Sequence, residues 1–432
     1  MPDQSTIALI LFGGLAVLIL LRVPLGFSLA VAGMTAYIVG GDSLLTMAQS
    51  YYDSVNSFPL IAVPMFFLAG IVMERGGLSR RLVDVAEAMI GGIRGGLGMV
   101  TILASMFFSA ISGSGPATTA AVGGVMVPSL LERKYPRGFA GAIVATGGTL
   151  GVMIPPSILL ILYGVITGVS ITGLFMAALL PGLLIGVGLI LFVHIMCRIK
   201  GVHAEESRFN FANLMVSVRR GILAILAPII ILGGIYSGIF TPTESAVVAA
   251  VYGIIVAMFV YKELTPRGLW ESVKETMSIT GRLGIIWAVS TAYGEVMAMY
   301  QIPSMLSEWL MSITRNPYVI WLLICIFLTF MGCIMNSMSQ VIIFTPIFAP
   351  VVQAVGIDLV HFAIIFVLNA EIGFLTPPLG TNLFVAMDQA KCSLGEISRA
   401  VIPFILFLFL MMAVLILLPQ ISLWLPQTFL SL

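Results

Sequence analysis

The sequence predicts an all-α, polytopic membrane protein built from an inverted-topology repeat. The chain of 432 residues is 59% hydrophobic and 9% charged, whereas a soluble domain carries about 25% charged residues. Apolar stretches of about 17–25 residues, long enough to cross a hydrocarbon core of about 30 Å as helices, recur along the chain. Proline and glycine signatures in one half also return in the other. The net charge of +1 gives no reason to expect nucleic acid.

Most of the apolar stretches have the length of a single membrane span. Full spans are predicted at 5–21, 25–41, 58–74, 139–160, 170–197, 221–240, 243–261, 283–299, 360–384 and 400–425. Two further stretches, 97–131 and 319–350, are too long for one span and are interrupted by small and polar residues. We expect each of these two to form a re-entrant helical hairpin.

The basic residues predict how the chain is oriented. If the amino terminus lies outside, all but one of the 20 Lys and Arg residues are cytoplasmic or at the cytoplasmic boundary, the exception being Arg315. This asymmetry is what the positive-inside rule requires. It also makes the first hairpin enter from the cytoplasm and the second from outside. Amphipathic segments at 78–93, 266–280 and 303–314 are expected to lie along the membrane surface, or else to be ordinary connectors.

An internal repeat divides the chain into two halves. Pro24 and Pro242 are 218 residues apart, and the pair Pro155 and Pro156 returns 222 residues later as Pro377 and Pro378. The predicted units are a first repeat at 1–200, a cytoplasmic connector at 201–220 and a second repeat at 221–432. In the first repeat, scaffold helices are predicted at 1–95, the hairpin with its broken helix at 97–160 and a further helix at 170–197. In the second repeat, the same three parts are predicted at 221–315, 319–384 and 400–425.

Inverted repeats with discontinuous helices are typical of secondary transporters, whose sites lie near the membrane midplane. Broken backbone survives at that depth only where protein or a wet cavity satisfies its polar groups. A membrane-embedded enzyme or an assembly scaffold is the alternative. The sequence offers no HExxH motif, nucleophile elbow or His/Cys metal set for an enzyme.

Polar and small residues concentrate in the hairpins and broken helices. The first hairpin carries SGSGPATT at 112–119, and its facing span breaks at 147–157 around two prolines. Prolines leave carbonyl groups unpaired, and carbonyls with serine hydroxyls suit a hard cation such as sodium. Close packing of small residues is the structural alternative.

The second copy repeats this arrangement with NSMSQ at 336–340 and a broken span at 369–382. Its Glu371 is an intramembrane carboxylate, which makes it a functional candidate, or else a buried structural acid. Glu244, just after Pro242, is expected to cap a helix. Neither hairpin core contains Arg or Lys, so an anion there would rely on amides, helix amino termini and bound sodium.

Three motifs make the chain resemble the large membrane (M) subunit of the tripartite ATP-independent periplasmic (TRAP) transporters, across nearly its whole length. They are SGSGPATTAAVG at 112–123, GTLGVMIPPS at 148–157 and EIGFLTPPLGTNLFV at 371–385. The resemblance implies a DctM-like protein of the ion transporter superfamily, in the bacterial inner membrane. It implies sodium-driven import of a small organic acid, such as a C4-dicarboxylate or sialic acid, by a transport domain that moves like an elevator against a scaffold.

The resemblance also implies partners and site residues. The partners would be a periplasmic substrate-binding protein (P) and a separate small four-helix membrane subunit (Q), with sodium as coupling ion and no other cofactor. A stand-alone ion-coupled anion transporter is the competing hypothesis. The implied sodium ligands are Ser112, Ser114, Gly151, Ile154 and Pro156 in the first site, and Ser337, Gly373, Thr376 and Pro378 in the second. The implied substrate residues are Thr118, Asn336, Thr381 and Asn382, with Glu371 as a coupling candidate.

Overall fold

All regular secondary structure in the described part of the chain is helical. The computed structural model describes residues 3–93, 95–201, 210–314, 316–377 and 380–430. No strand occurs within these ranges. The predicted all-α class is therefore confirmed.

The helices of the first half follow one another with short connections. They are α1 (Gln4–Leu20), α2 (Leu25–Gly40), α3 (Leu44–Val55), α4 (Phe58–Arg75), α5 (Leu78–Ile90), α6 (Gly96–Ser112), α7 (Gly115–Glu132), α8 (Arg137–Met153), α9 (Ile158–Thr167) and α10 (Ile171–Ile199). Helix α3 was not predicted from the sequence, because its apolar residues are too few for a span. Its start is capped by Ser43, whose side chain accepts a hydrogen bond from the Leu45 amide at 3.2 Å.

The helices of the second half continue the series. They are α11 (Phe211–Tyr236), α12 (Pro242–Val260), α13 (Pro266–Met299), α14 (Ile302–Ile313), α15 (Pro317–Gly332), α16 (Ser337–Ala354), α17 (Leu359–Phe374), α18 (Thr381–Ala390), α19 (Leu394–Leu417) and α20 (Gln420–Phe429). Residues 211–220, predicted as connector, belong to α11.

Two predicted boundaries in this half are wrong. The surface helix at 266–280 and the span at 283–299 form one continuous helix of 34 residues, α13, because no proline interrupts it after Pro266. The predicted span at 400–425 is instead split between α19 and α20. Pro419 separates them, and a residue before proline is disfavoured in helical conformation.

By length and composition, seven helical stretches in the described residues could each cross a membrane. Six of them match predicted spans, and the seventh is the hairpin arm α16. Of the remaining four predicted spans, 5–21 and 25–41 correspond to the apolar helices α1 and α2, which are slightly shorter than the seven; 360–384 ends early, at Phe374 of α17, and 283–299 is part of α13. Shorter apolar helices are compatible with the broken and tilted segments that transporters contain.

The order of helices is the same in both halves, except that α20 has no counterpart in the first half. Each half begins with two helices and a longer helical region, which is α3 with α4 in the first half and α13 in the second. A short amphipathic helix, a helix pair joined by a turn, a broken helix and a long helix follow. The longer region differs, because α3 and α4 are separated at residues 56 and 57 whereas their counterpart α13 is unbroken. The inversion of the halves and their domain boundaries stay predictions.

The start of α12 illustrates how the sequence sets helix ends. Thr241 and Glu244 form a capping box, in which the Glu244 side chain accepts from the Thr241 amide at 2.8 Å. The Thr241 hydroxyl in turn accepts from the Glu244 amide at 3.2 Å. This arrangement satisfies two amides that a helix start leaves without partners. The predicted capping role of Glu244 is confirmed.

The centre of the molecule is formed by α6, α8 and α17. Every residue from Phe139 to Met153 is buried, as is every residue from His361 to Phe374. Lipid tails are as apolar as leucine, so burial of apolar side chains alone does not hold membrane helices together. Close contacts between small residues contribute instead, and glycines make such contacts at both helix turns.

Candidate functional site

The first turn joins α6 to α7 through residues 113 and 114. Gly113 has a left-handed backbone with φ of 62°, and a methyl group added to it would lie 2.8 Å from the Pro156 carbonyl oxygen. Its own carbonyl accepts a hydrogen bond from the Ile158 amide at 3.2 Å. Glycine is therefore required both for the turn and for the approach of the broken helix.

Oxygen atoms from several predicted ligands converge beside this turn. The Ser112 hydroxyl lies 2.8 Å from the Thr118 hydroxyl and 3.4 Å from the Ser114 carbonyl oxygen. A methyl group on Gly151 would lie 2.5 Å from that Ser114 oxygen and 2.7 Å from the Thr118 hydroxyl. Ser112, Ser114, Thr118 and Gly151 thus meet in one place. Thr118, predicted to contact substrate, lies among the first set of predicted sodium ligands.

Pro156 also belongs to this neighbourhood, since its carbonyl oxygen faces Gly113. The peptide bond between Pro155 and Pro156 is cis. Ile154 lies at the end of α8, and its side chain is directed toward Gly182 of α10. Its side chain therefore packs away from the turn, and only its backbone can contribute to a cation site.

The second turn differs from the first in length and chemistry. It spans residues 333–336, two more than the first turn. Asn336 caps α16, with its side-chain oxygen accepting from the Ser339 amide at 2.8 Å. Gly332 and Gly373 are in contact, because a methyl group on Gly373 would lie 2.6 Å from the Gly332 Cα atom. Direct backbone contact between α15 and α17 replaces the hydroxyl cluster of the first turn.

Thr376 follows the break of α17. Its hydroxyl donates to the Ile372 carbonyl at 2.8 Å, and its amide donates to the Gly373 carbonyl at 2.9 Å. The structure therefore places Gly373 and Thr376 together, with Gly332 as an additional neighbour. Pro378, the fourth predicted ligand of this set, lies outside the described residues.

Glu371 connects the two halves of the site. It is fully buried and accepts hydrogen bonds from the Ser337 hydroxyl and from the Asn382 side-chain amide, each at 3.1 Å. A methyl group on Gly115, at the start of α7, would lie 2.7 Å from the same carboxylate. The starts of α7 and α16 are thus both near Glu371, where helix amino termini favour negative charge.

The predicted substrate residues are not all adjacent. Asn382 is fully buried beside Glu371, and its side-chain oxygen has no hydrogen-bond partner. Thr381 is partly exposed at the start of α18, and Asn336 is exposed at the second turn. Ser337, predicted as a sodium ligand, donates its hydroxyl to Glu371.

Sequence reasoning missed three glycines that shape the site. Gly115 approaches Glu371, Gly148 approaches the Thr119 hydroxyl, and Gly332 contacts Gly373. The signal for Gly115 was present in SGSGP and that for Gly148 in the glycine pair at 147 and 148, but which distant segment each glycine would meet could not be deduced from spacing. Among the described residues no group of His, Cys, Asp and Glu gathers as a transition-metal site would require.

The fold and the site define a helical, multi-pass membrane protein with paired turns and broken helices. Residues 12–421 match the family described as "Tripartite ATP-independent periplasmic transporter, DctM component". The chain belongs to this family and is therefore a TRAP transporter subunit of the bacterial inner membrane.

Named relatives cover nearly the whole chain. The isethionate TRAP transporter permease protein DctMQ of Oleidesulfovibrio alaskensis is 40% identical over 94% of this chain, which spans 64% of that relative's length. The C4-dicarboxylate large permease DctM of Pseudomonas aeruginosa is 38% identical, with 93% and 94% of the two chains covered. The sialic acid large permease SiaM of Vibrio cholerae is 35% identical, with 98% of each covered.

A solved structure supports the fold. The crystal structure of the Alcanivorax borkumensis YdaH transporter matches with a TM-score of 0.62, covering 88% of this chain and 87% of that one. The two sequences are 16% identical. At this identity the likeness concerns the arrangement of helices alone.

Proposed function

We propose that this subunit imports a small organic acid, delivered by a periplasmic substrate-binding protein, by sodium symport. The observation that carries the proposal is the meeting of Ser112, Ser114, Thr118 and Gly151 beside the first turn. Hydroxyl and carbonyl oxygens are the ligands of hard cations. The relatives whose names specify isethionate, C4-dicarboxylate and sialic acid support an acidic substrate.

Sodium is bound at two places in this proposal. The first ion is held by oxygens of Ser112, Ser114 and the backbone near Gly151, Ile154 and Pro156. The second is held near Gly373 and Thr376, with Pro378 and Ser337 completing the predicted set. The contact between Gly332 and Gly373 supports the second position, because it brings the end of α15 beside the backbone oxygens at the break of α17.

The substrate is proposed to lie between the turns, near Thr118, Asn336, Thr381 and Asn382. Asn382 supports this position, since its buried side-chain oxygen has no partner and a buried polar atom without one is costly. Glu371 orients Asn382 in this scheme and so couples the substrate residues to Ser337.

Movement is proposed to follow an elevator mechanism in an inverted repeat. The helix pairs α6–α7 and α15–α16 would be re-entrant hairpins from opposite sides, moving with α8–α9 and α17–α18 against the remaining helices. The equal order of helices in the two halves supports this assignment. A separate small four-helix membrane subunit would complete the complex, and the fused name DctMQ of one relative supports such a partner.

Uptake into proteoliposomes tests the proposal. This chain is reconstituted with its small subunit, and the loaded binding protein is added outside. We expect accumulation of the acid only when the binding protein and an inward sodium gradient are both present. Accumulation without binding protein would instead establish the stand-alone transporter.

A further inference from the structure

A cavity of about 540 Å³ lies between the second turn and two helices outside the hairpins. One wall comes from α2 and α13, and the other from the turn at 334–336 with Ser339 of α16. Most of the lining is apolar, including Leu25, Phe27 and Ile286. Three polar side chains interrupt it: Arg282, Asn336 and Ser339.

Each of these polar side chains has hydrogen-bonding capacity left for a ligand. Arg282 is exposed, donates only its Nε group to the Ser278 carbonyl at 3.2 Å, and forms no ion pair among the described residues. Ser339 is fully buried, and its hydroxyl has no partner. Asn336 uses its side-chain oxygen to cap α16, which leaves its NH₂ group available.

We propose that this cavity is a carboxylate-binding station, in which Arg282 supplies the positive charge that both hairpin cores lack. An ionised carboxylate accepts hydrogen bonds only, so it complements a guanidinium, an amide NH₂ group and a hydroxyl. The amino terminus of α16 adds favourable electrostatics for an anion at the same wall. The ligand class is a small organic acid with one carboxylate directed at Arg282.

The position of this station gives it a role in transport. Arg282 belongs to a helix assigned to the scaffold, whereas Asn336 and Ser339 belong to a hairpin assigned to the moving part. An acid bound here contacts both the scaffold helix and the moving hairpin. It can do so only while the second turn faces α13. With Arg282 among the cytoplasmic basic residues, the station lies on the exit path. This inference rests on the proposed function for the identity of the ligand.

Cysteine protection tests the station directly. Ile285→Cys lies one turn from Arg282 and lines the cavity. The substitution is made in a chain that also carries Cys333→Ser and Cys392→Ser, which remove the two cysteines that are not buried. The rate at which the new thiol reacts with a maleimide is measured in the purified two-subunit complex. Succinate and N-acetylneuraminate, which both carry a carboxylate, are the probes. We expect the transported acid to slow the reaction.

The charge on Arg282 is then varied. Arg282→Gln should raise the acid concentration that gives half-maximal protection roughly ten- to hundredfold, because it removes a hydrogen bond to a charged group. Arg282→Lys, which keeps the charge, should raise it less. Arg267→Gln is the matched control, because Arg267 lies on the same helix, is 90% exposed and is absent from the cavity. It should leave protection unchanged.

The outcomes separate this inference from the transport function. Protection that survives Arg282→Gln, or a transported acid that does not protect, overturns the station. Protection by vesicles of phosphatidylglycerol but not by soluble acids also overturns it, because Arg282 would then bind a lipid headgroup. If Arg282-dependent protection occurs but no acid accumulates in vesicles, the station stands and the transport function fails.

Discussion

The hydroxyl of Ser337 donates a hydrogen bond to the carboxylate of Glu371 at 3.1 Å, which ties the start of α16 to the last turn of α17. Asn382 of α18 donates to the other carboxylate oxygen, so one buried acid connects three helices of the second half. The start of α7, at Gly115, approaches the same acid from the first half. Glu371 therefore links the two halves of the site.

Asn382→Ala should destabilise the complex by about 1.5–3 kcal/mol, because it removes a hydrogen bond to a fully buried acid. Thr381→Ala is the matched control on the same helix, being partly exposed, and should change stability by less than about 0.5 kcal/mol. Thermal unfolding of the purified complex measures both. Equal effects of the two substitutions would contradict the structural importance of the Glu371–Asn382 contact.

Gly373→Ala should destabilise the protein by about 1–3 kcal/mol, because the added methyl group would lie 2.6 Å from the Gly332 Cα atom and force α15 and α17 apart. Gly124→Ala is the control, since nothing lies within 4 Å of the added methyl group. A glycine inside a helix is about 0.5–1 kcal/mol less favourable than alanine, so the control should be stabilising. In unfolding experiments, the two substitutions should change the free energy of unfolding in opposite directions. A tolerated Gly373→Ala would mean that α15 and α17 are not in contact.

These examples also mark how far sequence reasoning reached. The turn at Gly113 and the break at Pro155 and Pro156 were predicted, because glycine and proline alter the backbone where they stand. The contact of Gly332 with Gly373 could not be, since it depends on packing between separate segments. The continuous α13 was missed for a related reason: the amphipathic pattern at 266–280 and the apolar stretch at 283–299 predicted two separate helices, whereas one helix carries both.

Ser112→Ala should weaken the sodium dependence of uptake while leaving the protein folded. One lost oxygen ligand corresponds to about 1.5–3 kcal/mol, or roughly ten- to hundredfold in sodium affinity. Ser109→Ala is a useful control, because its hydroxyl bonds only to the Ser105 carbonyl within α6. The half-maximal sodium concentration is measured for both variants. If Ser112→Ala leaves it unaltered, the first sodium site is misplaced.

Single cysteines should report opposite sides of the membrane for the two helix pairs. Lys134→Cys follows α7, Gln353→Cys lies near the end of α16, and both positions are exposed. In the inverted-repeat hypothesis the first reacts with an impermeant reagent only from the cytoplasm and the second only from outside. Right-side-out and inverted vesicles provide the comparison. Labelling of both from the same side would refute the inversion.

Sodium and substrate should strengthen each other's binding in the wild-type complex. Both hairpin cores lack Arg and Lys, so a carboxylate at the midplane needs a nearby cation to offset its desolvation. Linkage makes the effect reciprocal, and a coupling of about 1–3 kcal/mol changes either affinity by roughly 5- to 150-fold. Titration of the acid at low and high sodium, and of sodium with and without the acid, measures both sides of the cycle.

Sodium coupling and proton coupling predict different responses to imposed gradients. Potassium in place of sodium should abolish uptake, and an imposed pH gradient should not restore it, because the proposed ligands are hydroxyl and carbonyl oxygens that do not titrate. Accumulation driven by a pH gradient alone would defeat the sodium hypothesis. Glu371 would then be the leading proton carrier, since it is buried and contacts both Ser337 and Asn382. Glu371→Gln would in that case abolish pH-driven uptake while leaving exchange of the acid across the membrane intact.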